Sequence, residues 1–377
     1  MSNRKQSLLE WSLDQLIKQY RKDESELFYK VEEVISASRL ENKDGIRPNL
    51  IKKTESENGW HLIFNLPPDI TLDDFEKRRK SFQTFTNSIV EFKNNGPIII
   101  MSVYRKKLKE IIPFHFDPRP YLKTMLAPLP IGYSPTGKLA VTDMASVHHM
   151  LISGVTGYGK TSGLLGMVTS LLIAGCEVSV IDKKAIDFPI LSDYLEVAIT
   201  ENETETMLKK TVKEMEIRAE KLRDAKAQKI QQVKDMKYKV VIIDEAADIE
   251  SNNSWEAIDK LVRKARAGGI GLIIATQKPS ANTSKGFTDI RSNLAGRLCY
   301  YVNGDSTDSQ IALGKGNSRA AELPAIAGRC IWKWKTEEML QSMFLDTEEA
   351  IKILQEKNIP KREVKQDEQS PVLLPPG

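Results

Sequence analysis

Two separated stretches of this sequence carry residue types that could bind and hydrolyse a nucleoside triphosphate. The first, residues 154–161, reads Gly-Val-Thr-Gly-Tyr-Gly-Lys-Thr and follows an apolar pair, as a phosphate-binding loop follows a strand. Its glycines let successive N–H groups point at phosphate oxygens, beside the positive end of the following helix. We expect Lys160 to reach the β- and γ-phosphates and the Thr161 hydroxyl to ligate Mg²⁺.

The second stretch, residues 240–245, is a β-branched run that ends in two carboxylates. Asp244 would hold the Mg²⁺ shell, and Glu245 beside it would orient and deprotonate a water molecule. Together, and in this order, the two stretches predict a site that binds ATP with Mg²⁺ and hydrolyses it. The predicted nucleotide-binding residues are Gly154, Thr156, Gly157, Gly159, Lys160, Thr161 and Ser162, and the predicted Mg²⁺ ligands are Thr161 and Asp244.

Composition restricts the class of protein. The chain has 377 residues and a net charge of +4, which permits contact with nucleic acid without requiring it. Its cysteines, Cys176, Cys299 and Cys330, are far apart and form no CxxC pair, so neither disulfides nor a zinc site is expected. The first twelve residues lack the apolar core of a signal peptide. We therefore expect a cytoplasmic protein whose membrane contact, if it has any, comes from a partner.

Proline positions and hydrophobic periodicity predict how the chain is divided. We expect a helical segment at 1–45, a small α+β domain at 46–112, a proline-rich linker at 113–138, an ATPase domain at 139–345, and a C-terminal helix with a disordered tail at 346–377. From residue 139 onwards, strands alternate with helices. This alternation predicts an α/β fold with a mainly parallel sheet covered on both faces. The candidate strands are 150–153, 178–181, 240–243, 271–275, 297–302 and 329–334.

Two further elements lie between the acidic strand and the end of this domain. The strand 272–275 ends in Thr276-Gln277, a polar pair that would lie beside the γ-phosphate, where it could sense hydrolysis. Residues 263–269 contain several basic side chains, and a guanidinium there could reach the ATP of a neighbouring subunit. The alternative is a solvated helix end with a glycine cap. No guanine-reading N-K-x-D follows the acidic strand and no LSGGQ-like signature is present, which excludes the usual GTPases and transporter ATPases.

Four segments resemble the FtsK/SpoIIIE family of DNA translocases: residues 142–161, 180–184, 241–248 and 263–280. The resemblance implies a RecA-like P-loop domain that assembles as a hexameric ring and moves double-stranded DNA through its pore. Lys160, Thr161, Asp244, Glu245 and Gln277 occupy matching motif positions. Arg266 is the best match to the family's trans-acting arginine, and Arg297 is its rival.

The chain departs from the family members that segregate chromosomes, which carry membrane spans and an orientation-reading module. It looks like a motor encoded on a plasmid or other mobile element, serving transfer, segregation or replication. Its expected partners are double-stranded DNA, further copies of itself, and a relaxase, a replication protein or a membrane channel. The predicted DNA contacts are Lys278, Lys285 and Arg291, and the alternative for each is an ordinary polar surface.

Three other functions stay open at this stage. Related ATPases drive protein secretion, usually with tandem motor domains, whereas this chain has one. A DNA-binding scaffold could use ATP only to control its assembly. A ring acting on single strands would need stacking aromatic side chains near the predicted pore loop, where Phe287 alone is available.

Overall fold

A computed structural model describes residues 26–56, 59–104, 108–279 and 285–362. By its internal contacts the chain divides into two compact units, Met1–Lys107 and Leu108–Gly377. The beginning of the predicted N-terminal helical segment and the tail at 363–377 lie outside the described residues. Within the described ranges, no helix has both the length and the apolar character needed to cross a membrane.

The first unit is a four-stranded antiparallel sheet in the order β1-β2-β4-β3, with helices packed on it. Its elements are α1 (26–37), β1 (Asn49–Ser56), β2 (Gly59–Asn65), α2 (Leu72–Glu76), α3 (Arg79–Thr86), β3 (Ile89–Asn95) and β4 (Ile98–Tyr104). Phe75 and Phe82 are fully buried against Phe92 of the sheet. Val31 and Val34 of α1 belong to the same core. The described part of the predicted 1–45 segment is therefore part of this unit.

The second unit contains a ten-stranded sheet in the order β6-β5-β14-β13-β12-β7-β11-β10-β8-β9. The six strands from β12 to β9 in this order are parallel, and the others are antiparallel. The strands are β5 (Pro128–Tyr133), β6 (Leu139–Asp143), β7 (His149–Ser153), β8 (Glu177–Ile181), β9 (Glu196–Ala198), β10 (Lys239–Ile243), β11 (Ile270–Thr276), β12 (Gly296–Tyr300), β13 (Arg329–Lys333) and β14 (Glu337–Gln341). This sheet confirms the predicted α/β class.

Helices cover both faces of the large sheet. They are α4 (Met144–Val147), α5 (Lys160–Ile173), α6 (Glu201–Asp224), α7 (Asn252–Lys264), α8 (Lys285–Ile290), α9 (Ser306–Leu313) and α10 (Thr347–Glu356). Short 3₁₀ turns occur at Arg119–Lys123, Pro189–Leu191, Ile230–Gln232, Ala246–Asp248, Arg291–Asn293 and Arg319–Glu322. Along β10, Val240 and Ile242 join the core beside α5, whereas Val241 and Ile243 join the core beside α6 and α7. Since side chains alternate along a strand, both faces of this strand are buried.

The segment 113–138, which the sequence predicts to be a linker, contains a strand of the large sheet. Pro128–Tyr133 forms β5, which pairs with β6 and β14 inside the large sheet. Pro128 is the first residue of this strand, and Pro130 lies next to an irregularity in its register. These are positions at which a strand tolerates proline. Upstream, Phe114 N–H donates to Phe344 C=O at 2.9 Å, so the proline-rich segment is an integral part of the second unit.

Candidate nucleotide-binding site

The predicted phosphate loop connects β7 to α5, and its glycines have conformations that larger residues rarely adopt. Gly154 has a φ of +149° and Gly159 a φ of +99°. A Cβ on Gly159 would lie 2.7 Å from the backbone N of Gly328. A Cβ on Gly154 would lie 2.6 Å from Cβ of Tyr300. Both positions therefore require glycine for φ and for the close approach of a neighbouring chain segment.

Two backbone hydrogen bonds hold this loop from outside. Val155 N–H donates to Tyr301 C=O at 3.0 Å, and Gly328 N–H donates to Tyr158 C=O at 2.9 Å. The first bond comes from the end of β12 and the second from the turn before β13. The sequence reasoning missed the role of Gly328, because nothing near it in sequence points to a loop that lies 170 residues earlier. The one local sign in the sequence is a glycine directly before a predicted strand. In the structure, Gly328 has a φ of +81°.

Helix α5 begins at Lys160, so the N–H groups of its first turn have no acceptor within the helix. They face the loop together with the positive end of the helix dipole, an arrangement that favours an anion. Thr161 is half-buried in this turn. Ser162 differs from its neighbours, because its hydroxyl donates to Leu345 C=O at 2.7 Å and accepts from Leu345 N–H at 2.6 Å. Its predicted role in nucleotide binding is thereby restricted to its N–H group.

Four of the predicted side chains form a connected hydrogen-bonded group at the carboxyl ends of β7, β10 and β11. Lys160 Nζ lies 3.0 Å from Asp244 C=O and 3.5 Å from Glu245 Oε2. The same Oε2 accepts from Gln277 N–H at 2.9 Å. Thr156 Oγ1 donates to Gln277 Oε1 at 2.7 Å. Gln277 thus links the phosphate loop to the carboxylate that is expected to activate water.

Asp244 has the properties expected of a metal ligand. It is 5% exposed, and among the described residues its Oδ1 has no hydrogen-bond partner. Burial raises the pKa of Asp244, and the charge of Lys160 opposes that rise. A buried carboxylate oxygen without a donor is costly unless a cation or another donor compensates it. The described residues contain no cluster of three or more metal-ligating side chains. Asp244 and Thr161 would each offer one oxygen to a Mg²⁺ ion that is also bound by the phosphates.

Arg266 does not belong to this group. It lies in the turn before β11, at the amino end of the parallel strands, whereas the phosphate loop lies at their carboxyl ends. The seven residues of β11 separate the two ends by about 20 Å. The Arg266 side chain is exposed, and its guanidinium makes no hydrogen bond or ion pair with any residue that the structure describes. Burial and the adjacent Arg266 lower the pKa of His148.

Arg297, the alternative candidate for the trans-acting arginine, is hydrogen-bonded to backbone carbonyls of its own chain. Its guanidinium donates to the carbonyls of Leu294 and Arg291, both at 2.6 Å, and of Ala312 at 3.1 Å. Burial lowers the pKa of Arg297 to about 10. These bonds connect β12 to α9, so the side chain could not extend to a neighbour without leaving backbone carbonyls unpaired.

The predicted DNA-contacting residues are not gathered into one patch. Lys278 is exposed and follows β11 at the carboxyl ends of the parallel strands. Arg291 is half-buried and precedes β12, at their amino ends. The side chain of Lys285 and residues 280–284 lie outside the described part of the chain. The two described side chains, Lys278 and Arg291, thus lie at opposite ends of the parallel strands.

Part of the chain is similar to known proteins. Residues 120–253 match the family model described as "FtsK/SpoIIIE family". The chain is 34% identical over 232 residues to DNA translocase FtsK of Campylobacter jejuni subsp. jejuni serotype O:23/36 (strain 81-176), covering 56% of this chain and 24% of that protein. It is 29% identical over 237 residues to DNA translocase SpoIIIE of Bacillus subtilis (strain 168), covering 56% and 29%. The chain thus spans about a quarter of the length of these curated relatives.

Solved structures share the fold at lower identity. The pCW3 conjugation coupling protein TcpA, in its monomer form with ATPγS, has a TM-score of 0.61 at 21% identity, and the match covers 87% of this chain and 99% of that one. EssC (ATPases 2 and 3) from Geobacillus thermodenitrificans has a TM-score of 0.54 at 15% identity, covering 68% and 54%. At these identities the likeness extends to the fold alone.

Proposed function

We propose that this chain is an ATPase of the FtsK/SpoIIIE family and that it hydrolyses ATP to move double-stranded DNA. The observation that carries the proposal is the hydrogen-bonded group in which Thr156 and Lys160 of the phosphate loop meet Glu245 and Gln277 from the ends of β10 and β11. This group supplies a cation for the phosphates, a carboxylate for the attacking water, and a link between them. A scaffold that only bound ATP would not need the water-activating carboxylate.

In the proposed reaction, the N–H groups of the phosphate loop bind the phosphates and Lys160 turns from Asp244 C=O and Glu245 to the transferring group. Glu245 accepts the proton of the attacking water, held in orientation by Gln277 N–H. When bound by Thr161 and Asp244, Mg²⁺ would neutralise charge on the phosphates. Loss of the γ-phosphate would alter the contact between Thr156 and Gln277, which gives the loop after β11 a means to respond.

A second subunit is required for full activity in this proposal. Arg266 is exposed, and about 20 Å of strand separates it from the phosphate loop of its own chain. In a head-to-tail ring the same side chain would approach the ATP of the next subunit, where a guanidinium stabilises the charge of the transition state. A homohexamer of the family's type is the assembly that we propose.

The proposed substrate is the phosphate backbone of duplex DNA. Lys278 is exposed at the carboxyl ends of the strands, directly after Gln277, so motion there would follow hydrolysis. The chain as a whole is mildly basic, with an isoelectric point near 8.7. Contacts of this kind carry no base information and weaken steeply with salt. Transfer of a plasmid or other mobile element, with a relaxase, replication protein or membrane channel as partner, is the context that we propose.

Duplex DNA is expected to stimulate ATP turnover several-fold, because phosphate contacts that move with Gln277 couple DNA binding to hydrolysis. The measurement compares turnover of the full chain with linear duplex, with single-stranded DNA of the same length, and without DNA. Stimulation by duplex should fall as salt rises, since bound counterions compete for the phosphates. Turnover that no nucleic acid alters would contradict the proposal and favour the alternative function, an ATPase that drives protein secretion.

A further inference from the structure

Arg218 is a buried arginine on α6 that lies far from the phosphate loop. Its side chain is 7% exposed, although it belongs to a helix rich in solvated charge. The guanidinium donates to Lys237 C=O at 2.8 Å and to Gly268 C=O at 3.0 Å. It also pairs with Glu214 at 2.5 Å and with Glu177 at 3.4 Å. Arg218 thus joins one helix to two loops at the amino ends of β8, β10 and β11.

The second of these loops is the turn that carries Arg266. Gly269 N–H donates to Arg266 C=O at 3.2 Å, and Gly269 has a φ of +66°. On the sheet side, Gly269 C=O accepts from Lys239 N–H at 3.0 Å. A Cβ on Gly269 would lie 2.4 Å from Cδ1 of Ile230. The backbone of the turn is therefore held from within the subunit, while the Arg266 side chain stays exposed.

Arg218 is buried among charged groups, and it shares one of them with a second cation. Glu214 is shared between Arg218 and Lys239, whose Nζ lies 2.7 Å from it. Burial alone would raise the pKa of Glu214, but Lys239 and Arg218 hold it below the usual range. Removing one partner from such a buried group leaves the remaining charges and carbonyls uncompensated. Lysine could not replace Arg218 fully, because an ammonium lacks the planar fork that serves two carbonyls and a carboxylate together.

We propose that Arg218 is a positioning residue for Arg266, fixing the turn from which that guanidinium enters the ATP site of the neighbouring subunit. This inference rests on the proposed trans role of Arg266. Arg218 itself touches neither ATP nor the phosphate loop. Loss of Arg218 therefore slows hydrolysis in the neighbouring subunit, whose ATP site receives the misplaced Arg266. The ATP site of the altered subunit itself stays intact.

The test uses Arg218→Ala in the full chain, with Arg223→Ala as the matched control. Arg223 lies on the same helix, is 74% exposed, and pairs only distantly with Glu220. Arg218→Ala should bind a fluorescent ATP analogue as tightly as the unaltered protein but lose about 10²-fold in kcat, because small misplacements of a catalytic group are costly. Arg223→Ala should keep both values. Arg218→Lys should fall between the two variants.

Mixing separates positioning from simple loss of fold. Arg218→Ala mixed with Glu245→Gln should regain activity, because the intact ATP site of the first variant then receives a well-placed Arg266 from the second. Arg218→Ala mixed with Arg266→Ala should regain none. Gly269→Ala, which disturbs the same turn through its φ and Ile230, should behave as Arg218→Ala does in both mixtures.

Weakened ATP binding by Arg218→Ala, full turnover, or failure to recover with Glu245→Gln would each overturn the inference. The outcome is distinguishable from failure of the proposed function. If Arg266→Ala alone keeps full turnover, the trans arginine is wrong. If Arg266→Ala is inactive and recovers with Glu245→Gln whereas Arg218→Ala does not, only the role of Arg218 is wrong.

Discussion

Replacing Lys160 by alanine is expected to reduce kcat for ATP hydrolysis by about 10²-fold or more, because the transition state loses a cation aimed at its developing charge. Lys160 is 5% exposed, and its Nζ already lies 3.0 Å from Asp244 C=O and 3.5 Å from Glu245 Oε2. Nucleotide affinity should fall as well, since Lys160 contributes in the ground state. Turnover and binding of a fluorescent ATP analogue measure the two effects separately.

The control for this prediction is Lys209→Ala. Lys209 lies on α6, is 65% exposed, and pairs with Glu205 four residues earlier on the same helix. An exposed pair of this kind contributes little to stability, and Lys209 contacts no residue of the ATP site. Lys209→Ala should therefore retain turnover and affinity. If Lys160→Ala hydrolysed ATP as fast as Lys209→Ala, the assignment of the phosphate loop would be wrong.

Arg266→Ala is expected to bind ATP normally and to lose about 10³-fold or more in kcat, the effect typical of removing an arginine finger. The reason is geometric, because Arg266 lies at the opposite end of β11 from its own phosphate loop. The matched control is Arg263→Ala, three residues earlier, whose guanidinium pairs with Asp259 at 2.6 Å within α7. Arg263→Ala should retain turnover.

A mixture of Arg266→Ala and Glu245→Gln gives the decisive comparison for this prediction. Neither variant should be active alone. In a mixed ring, a site with its own Glu245 can receive Arg266 from the other variant, and at equal amounts about a quarter of the sites have this composition. Recovery should therefore be partial and should depend on the mixing ratio. No recovery, together with full hydrolysis by isolated monomers, would rule out the shared site.

The central strands could be predicted from sequence because their patterns are local. The run at 240–243 is β-branched and uninterrupted, and the structure extends it by one residue to Lys239–Ile243. The candidate at 271–275 is likewise extended by one residue at each end, to Ile270–Thr276. Continuous apolar runs of this length identify strands buried on both faces. The hydrogen-bonded group at the carboxyl ends follows from the same logic, since parallel strands bring their ends together.

Other features could not be predicted because they depend on partners distant in sequence. Pro128–Tyr133 resembles a linker by composition, and only its pairing with β6 and β14 makes it a strand. The bond from Ser162 to Leu345 and the bond from Gly328 to Tyr158 join segments about 170 to 180 residues apart, which no local pattern records. Arg218 reads as one more charge on a polar helix until its carbonyl partners are known.

The division of the chain is a similar case. The sequence predicts a separate helical segment at 1–45, yet Val31 and Val34 in the described part of that segment belong to the core of the first unit. The apolar face of a helix predicts that it packs against something, but it does not identify the partner.

Movement of the protein along duplex DNA tests the central claim most directly. A short third strand bound to a linear duplex, far from its end, reports arrival of the motor when it is released. With ATP, the unaltered chain should release the third strand after a delay that grows with its distance from the loading end, and Lys160→Ala should release none. Release that is equally fast without ATP, or no release despite vigorous ATP hydrolysis on the same duplex, would contradict translocation.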